Sequence, residues 1–189
     1  MHAVLKSLVA VIAGIAAGLA LTWASVFLAH FGTVRNGPWA TSLAVGSAQS
    51  GPYLRAYVAV HGLLALNRGE TIYYNASRDS GGERLRGNCD YIVWGRDPAA
   101  RWWSITAYGQ DDFLIPNRAH RYSVSKYSVA RGANDKFVIF ISRDENSVSW
   151  IPVYDKPFSL TLRLYNPAAS VAADPAHALL PAIIKRGCR

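Results

Sequence analysis

The sequence predicts a mainly β fold: an antiparallel β-sandwich of jelly-roll type with one amphipathic helix, preceded by a single N-terminal transmembrane helix. Three observations lead there. Residues 7–31 hold no ionisable side chain except His30. From Thr71 onward, short alternating or apolar segments succeed one another at roughly 10–15-residue spacing with turn residues between them. Between these regions, a stretch opening at Ser50 shows helical apolar periodicity.

The N-terminal run reads SLVAVIAGIAAGLALTWASVFLAHF. A helix that crosses the hydrocarbon core needs about 20 apolar residues, and this run supplies them. A cleaved signal peptide is the rival, with Lys6 as a short basic start and Gly18-Leu19-Ala20 as a small-x-small site. Signal cores run only about 7–15 residues, so an uncleaved anchor is expected. Lys6 and Arg35 nearly balance across the span, and the short start favours a cytoplasmic N-terminus with the domain outside. Gly14 and Gly18 form GxxxG, extended by Ala10 and Thr22. Such a stripe lets helices approach closely, for self-association or docking on a membrane subunit, although an Ala/Gly-rich helix matches it by chance.

Residues 32–49 are small and turn-rich without clear period, and read as a linker. The helix then begins at a Ser50 or Gly51 cap with Pro52 in its first turn. Tyr53, Leu54, Tyr57, Val58, His61, Leu64 and Ala65 recur at helical spacing, and Asn67-Arg68-Gly69 stops it. His61 on that stripe is an ordinary packed histidine. Strands are expected at 71–77, 88–94, 101–108, 137–142, 147–153 and 158–165, with a short one resuming at Tyr122. Residues 137–142 (FVIFIS) are nearly continuously apolar and predict a central strand. The cleanest alternation sets Phe158, Leu160, Leu162 and Leu164 against Ser159, Thr161, Arg163 and Tyr165. The chain thus divides into an anchor (1–31), a linker (32–49), a β-sandwich domain (50–167) and an Ala/Pro-rich tail (168–189) with an apolar patch at 179–184.

The formal net charge is +8, and 15 of the 20 basic residues are Arg. Anionic headgroups, acidic polymers or an acidic protein face are the partners such a surface suits, and a solvated basic surface is the plainer alternative. No nucleic-acid motif accompanies the charge. Cys89 lies in an expected strand and Cys188 is penultimate. In an oxidising compartment the two would pair, and on chain-entropy grounds the bridge would stabilise the fold by about 4–5 kcal/mol. Two separate thiols are the equal alternative. There is no CxxC and no His/Cys cluster, so neither a metal nor a cofactor is expected.

GxSxG, GxGxxG, Walker and HExxH motifs are absent, and the histidines are dispersed. The densest chemistry lies at 101–123, where Asp111 and Asp112 sit in a turn before Asn117, His120, Arg121 and Tyr122. Adjacent carboxylates beside an amide could bind a hard cation, and a carboxylate beside His could move protons. The competing reading is a solvated turn in which Pro116-Asn117 and Arg121 hold the loop by backbone hydrogen bonds. Arg163, flanked by Thr161 and Tyr165, could clamp an anion. Asp112, Asn117, Tyr122 and Arg163 are therefore the candidate ligand-binding residues, and no catalytic residue is assigned.

The succession Asp79-x-Gly81-x-x-x-Leu85-x-Gly87, Trp103-Ser-x-Thr-x-Tyr108, Phe113-Leu-x-Pro-Asn117 and Arg121-Tyr-Ser123 resembles domain-of-unknown-function family 1214. Trp150-Ile-Pro152 and the run from Pro157 through Tyr165 to Pro167 complete the match, which covers about residues 50–167. The resemblance implies a β-sandwich of jelly-roll type in a bacterial envelope or secreted protein, with no reaction to carry over. Members are often the C-terminal half of two-domain proteins whose other half is family 1254. Here an anchor and linker stand in place of that companion. The usual Trp-Pro-rich ending is replaced by Lys185-Arg-Gly-Cys-Arg, and the usual Asp-Gly-Ser turn by Ala133-Asn-Asp-Lys136. The expectation is a non-catalytic, single-pass inner-membrane protein whose periplasmic domain docks on a membrane partner, such as a separately encoded 1254-type companion. An enzyme or small-ligand binder is the alternative.

Overall fold

A computed structural model describes residues 2–28, 32–60, 65–145 and 149–189. His30, His61, Leu64 and the first residues of the strand expected at 147–153 lie outside the described residues. In chain order the elements are α1 (His2–Phe27), β1 (Thr33–Asn36), β2 (Trp39–Ser42), α2 (Pro52–Val60), β3 (Thr71–Ala76), β4 (Cys89–Gly95) and β5 (Ala100–Tyr108). They continue with β6 (Ser123–Ser125), β7 (Phe137–Ser142), β8 (Trp150–Pro152), β9 (Ser159–Pro167), α3 (Ala169–Ala173) and β10 (Ala182–Cys188).

The strands form two sheets, ordered β1-β2-β3-β9-β5-β6 and β10-β4-β7-β8. The pairings are antiparallel except β7 with β8, which is parallel. The fold is mainly β, as the turn-punctuated alternation predicts. On β9, Leu160, Leu162 and Leu164 are wholly buried, and Trp103 and Ile105 of β5 lie beside them. They face Tyr91 and Val93 of β4, Phe137, Ile139 and Ile141 of β7 and Ile183 of β10 in one continuous core. The rings of Trp103 and Phe137 meet across the layers at 4.7 Å between centroids. Each such large side chain contributes about 1.5–3 kcal/mol by leaving water. Residues 137–142 run between β4 and β8, with Phe137, Ile139 and Ile141 buried on one face and Val138 and Phe140 half-buried on the other.

α1 is long and apolar enough to cross a membrane, as an anchor or as the core of a signal sequence. At 26 residues it spans about 39 Å against a hydrocarbon core of about 30 Å. Its small-residue face is open, with nothing near Gly14 or Gly18, and Thr22 Oγ1 donates back to the Gly18 carbonyl at 2.9 Å. The C-terminal end of the helix touches α2.

Two segments are more structured than their composition suggests. The stretch read as a linker contains the β1–β2 hairpin, whose two-residue turn needs Gly37 at φ 57. Trp39 is buried and donates its indole N–H to the Pro181 carbonyl at 2.7 Å. Asn36 Nδ2 donates to the carbonyls of Pro175 and Ala178. The stretch read as a tail supplies β10, which pairs with β4 along its length. β1 and β2 are only four residues each and meet β3 at a single register pair, and β10 finds its partner β4 far away in sequence, so composition gives little sign of either. β10 is an edge strand, with a register shift between Lys185 and Gly187 and cationic side chains at the irregularity, the usual devices against strand addition. Cys188 pairs in register with Cys89, and the two form a disulfide across 99 residues.

Both segments are therefore structural, and two variants check this by urea unfolding of the domain. Cys188→Ser should cost about 2–5 kcal/mol. Trp39→Ala should cost about 3–5 kcal/mol by opening a cavity between the hairpin and the C-terminal segment.

Candidate functional site

The outer face of the large sheet is polar, because every side chain of β9 that does not point inward points here. Arg163 sits at its centre, opposite Ser104 of β5 and Tyr73 of β3. Its guanidinium donates to Thr106 Oγ1 at 3.1 Å and to the Tyr108 hydroxyl at 2.5 Å, and lies 5.4 Å from the Tyr108 ring centroid. Beside it, the rings of Trp102 and Tyr165 meet at a tilt of 59° with centroids 5.0 Å apart, and Thr161 Oγ1 donates to Asn75 Oδ1 at 2.7 Å. Ser104, Thr106 and Thr161 are buried on this face, and Thr71, opposite Tyr165, buries an Oγ1 with no hydrogen-bond partner.

Past Tyr108 the chain makes a tight acidic turn. Gly109 N–H donates to the Phe113 carbonyl, Asp112 N–H to the Gly109 carbonyl, and Phe113 N–H to Asp111 Oδ1. Asp112 takes φ 62, a left-handed conformation that Asp tolerates better than most residues. Burial pushes the Tyr57 phenol of α2 up, and the Asp112 carboxylate adds to the rise, so the turn faces that helix. Asn117 is committed elsewhere. Its Nδ2 donates to the carbonyls of Ile115 and Arg121 at 3.0 and 2.9 Å, and its Oδ1 accepts from Arg121 N–H at 3.0 Å. Tyr122 is half-buried and returns the chain to β5, its carbonyl accepting from Ala107 N–H.

The four candidate residues thus play different parts. Arg163 belongs to the sheet face with Thr106 and Tyr108, and Asn117 staples its own loop. Tyr122 enters β6, and Asp112 lies in the turn near α2. Among the described residues, no group of three or more His, Cys, Asp or Glu side chains is placed to hold a metal ion.

A feature that sequence reading passed over lies at the end of β3. Asp79 is buried, and its Oδ1 accepts from the N–H groups of Gly81 and Glu83, both at 2.9 Å, which closes the turn. The returning segment is extended. Leu85 points into the core, so Arg84 and Arg86 point out together. Arg78, Arg84 and Arg86 line a cleft of about 480 Å³ beside the disulfide, and Arg78 and Arg84 also line an adjoining cleft of about 300 Å³ that reaches Asp112. Glu83 on the rim is paired with Lys185 at 2.5 Å. The hydrogen bond and charge of Lys185 hold the Glu83 carboxyl below its ordinary range, and those of Glu83 raise the Lys185 ammonium. The signal was Arg-Leu-Arg alternation around a single apolar residue, too short to register as a strand.

These features define a β-sandwich domain with a polar, Arg-centred sheet face, carried behind a long apolar helix. The chain belongs to the family described as protein of unknown function (DUF1214), whose family model matches residues 70–169. It is similar in fold to the crystal structure of the VPA0106 protein from Vibrio parahaemolyticus, at 23% identity and a TM-score of 0.60. That similarity covers 74% of this chain and 36% of the other, so the chain spans about a third of that protein's length. A weaker similarity, at 12% identity and a TM-score of 0.40, links 62% of the chain to 29% of an uncharacterised protein from Burkholderia cenocepacia. No curated protein matches.

Asn117→Ala should remove the loop's internal staple and leave a backbone donor and two acceptors short of partners. The expected cost is about 1–3 kcal/mol, with faster hydrogen exchange confined to the loop around 115–121 and β5 unaffected.

Proposed function

We propose that this is a single-pass inner-membrane protein of the bacterial envelope, with a cytoplasmic N-terminus, whose periplasmic β-sandwich docks on a membrane protein partner and is non-catalytic. The observation that carries the reading is α1. None of its most apolar 18-residue window is buried, and Leu8, Val9, Ile12 and Ile15 are all more than half exposed. Apolar surface on that scale needs lipid or another helix. Gly14 and Gly18 open one face to close approach by a companion helix or a second copy. A disulfide suits an oxidising compartment outside the cytoplasm. A separately encoded companion of the 1254 type is the partner this reading favours, because family domains commonly occur joined to one.

A second reading, a small-ligand site or enzyme pocket near Asp112, Asn117, Tyr122 and Arg163, draws on one observation. Arg163 is half-buried with hydroxyl partners, and among the described residues no carboxylate pairs with it.

Extraction of the full chain from native membranes in mild detergent, followed by cross-linking and mass determination, tests the first reading. A stable complex with a second membrane protein is expected, and it should weaken when Gly14 and Gly18 are both replaced by Leu. A monodisperse monomer at every detergent concentration would sink it.

A further inference from the structure

We propose that the cleft lined by Arg78, Arg84 and Arg86 is a binding site for a phosphate group, carried on a soluble anion or as the phosphodiester of a lipid headgroup. Three features support it. First, Arg78, Arg84 and Arg86 all line one concavity beside the disulfide. Second, they outnumber the acids there, since Glu83 is the one carboxylate among the residues lining that cleft. Among the described residues the guanidinium groups of Arg84 and Arg86 make no hydrogen bond and no salt bridge, and that of Arg78 gives one N–H to the Gly82 carbonyl at 2.7 Å. Glu83 feels the charge of Arg86 but is bonded to Lys185, and Asp79 is engaged by the backbone of its own turn. Elsewhere the protein pairs arginines with carboxylates, as in Arg131 with Asp97, Arg143 with Asp155, and Arg189 with Asp90 and Asp144.

Third, the scaffold under the arginines is rigid. Leu85 is locked by Leu85 N–H to the Ser77 carbonyl and by Phe158 N–H to the Leu85 carbonyl. Gly87 packs against the Tyr154 backbone so closely that a Cβ would lie 1.5 Å from its carbonyl oxygen. Cys89 and Cys188 tie the adjoining rim. Several guanidinium forks borne on one held backbone suit a tetrahedral oxyanion with several acceptor oxygens, whereas one fork already satisfies a carboxylate. The proposal does not depend on the docking function above.

The test uses the full chain in nonionic detergent micelles, with ionic strength matched by chloride. Inorganic phosphate is one probe, and short-chain phosphatidylglycerol doped into the micelle is the other. Thermal unfolding is followed by tryptophan fluorescence. At least one probe should raise the melting temperature. Arg84→Gln with Arg86→Gln should weaken the midpoint of that response by about tenfold or more. Arg101→Gln, at the far end of β5 and roughly 25 Å along the strand, should leave it unchanged. A response to inorganic phosphate assigns soluble phosphates, and a response to the lipid alone assigns headgroups; both support the site. Both arginines are exposed, and Arg78→Gln reads the same cleft should the double variant fold poorly. Failure of both probes, a response that survives loss of the cleft arginines, or one that falls equally in Arg101→Gln overturns the proposal.

Discussion

The constraint on which the rest of this structure depends is the two-sidedness of β9. It lies between β3 and β5 in the large sheet. One of its faces is the leucine row that fills the sandwich, and the other carries Thr161, Arg163 and Tyr165. Side chains on a strand alternate strictly, so a one-residue slip would put the arginine in the core and a leucine on the polar face. The penalty for a buried unpaired charge makes that register effectively unique. Core and polar face are thus specified by the same nine residues.

Closure of the sandwich depends on the two ends of the domain. The β1–β2 hairpin extends the large sheet beyond β3, and β10 extends the small sheet beyond β4. They are joined where Trp39 and Asn36 hydrogen-bond to the backbone ahead of β10. Ser80 adds a third tie, donating its N–H to the Ile183 carbonyl while its Oγ accepts from Ile183 N–H. The disulfide works on the same edge, where loss of β10 would expose β4 and its buried Tyr91 and Val93. Long-range contacts of this kind are slow to form and carry large loop-closure entropy, which a covalent tie of 99 residues reduces in the unfolded chain.

The electrostatics divide the arginines into classes. Arg131, with Lys126 nearby, surrounds Asp97, which also accepts the Trp103 indole N–H at 3.0 Å, so a surface ion pair reaches into the inter-sheet core. Arg163 is held by hydroxyls and an aromatic ring. Arg78, Arg84 and Arg86 share a concavity whose one lining acid, Glu83, is bonded to Lys185. The net charge alone describes none of this, since the cations of the first kind are already occupied by carboxylates.

By itself the sequence determined the class of fold, the apolar helix, the family and the inward rows of β5, β7 and β9, because each rests on local periodicity or on a motif contiguous in the chain. It also contained the rival reading of the loop at 109–122. Asn117 holds that loop in shape, and the amide that made it look like a ligand-binding residue is spent on Ile115 and Arg121. Only the tertiary structure decided that 33–42 and 182–188 are strands, that Cys89 and Cys188 meet, and that three arginines from two sides of a turn line one cleft. The physical reason is common to all of these. Short strands and isolated charges acquire meaning from partners that the chain brings beside them only when it folds, and no local pattern encodes which partner that will be.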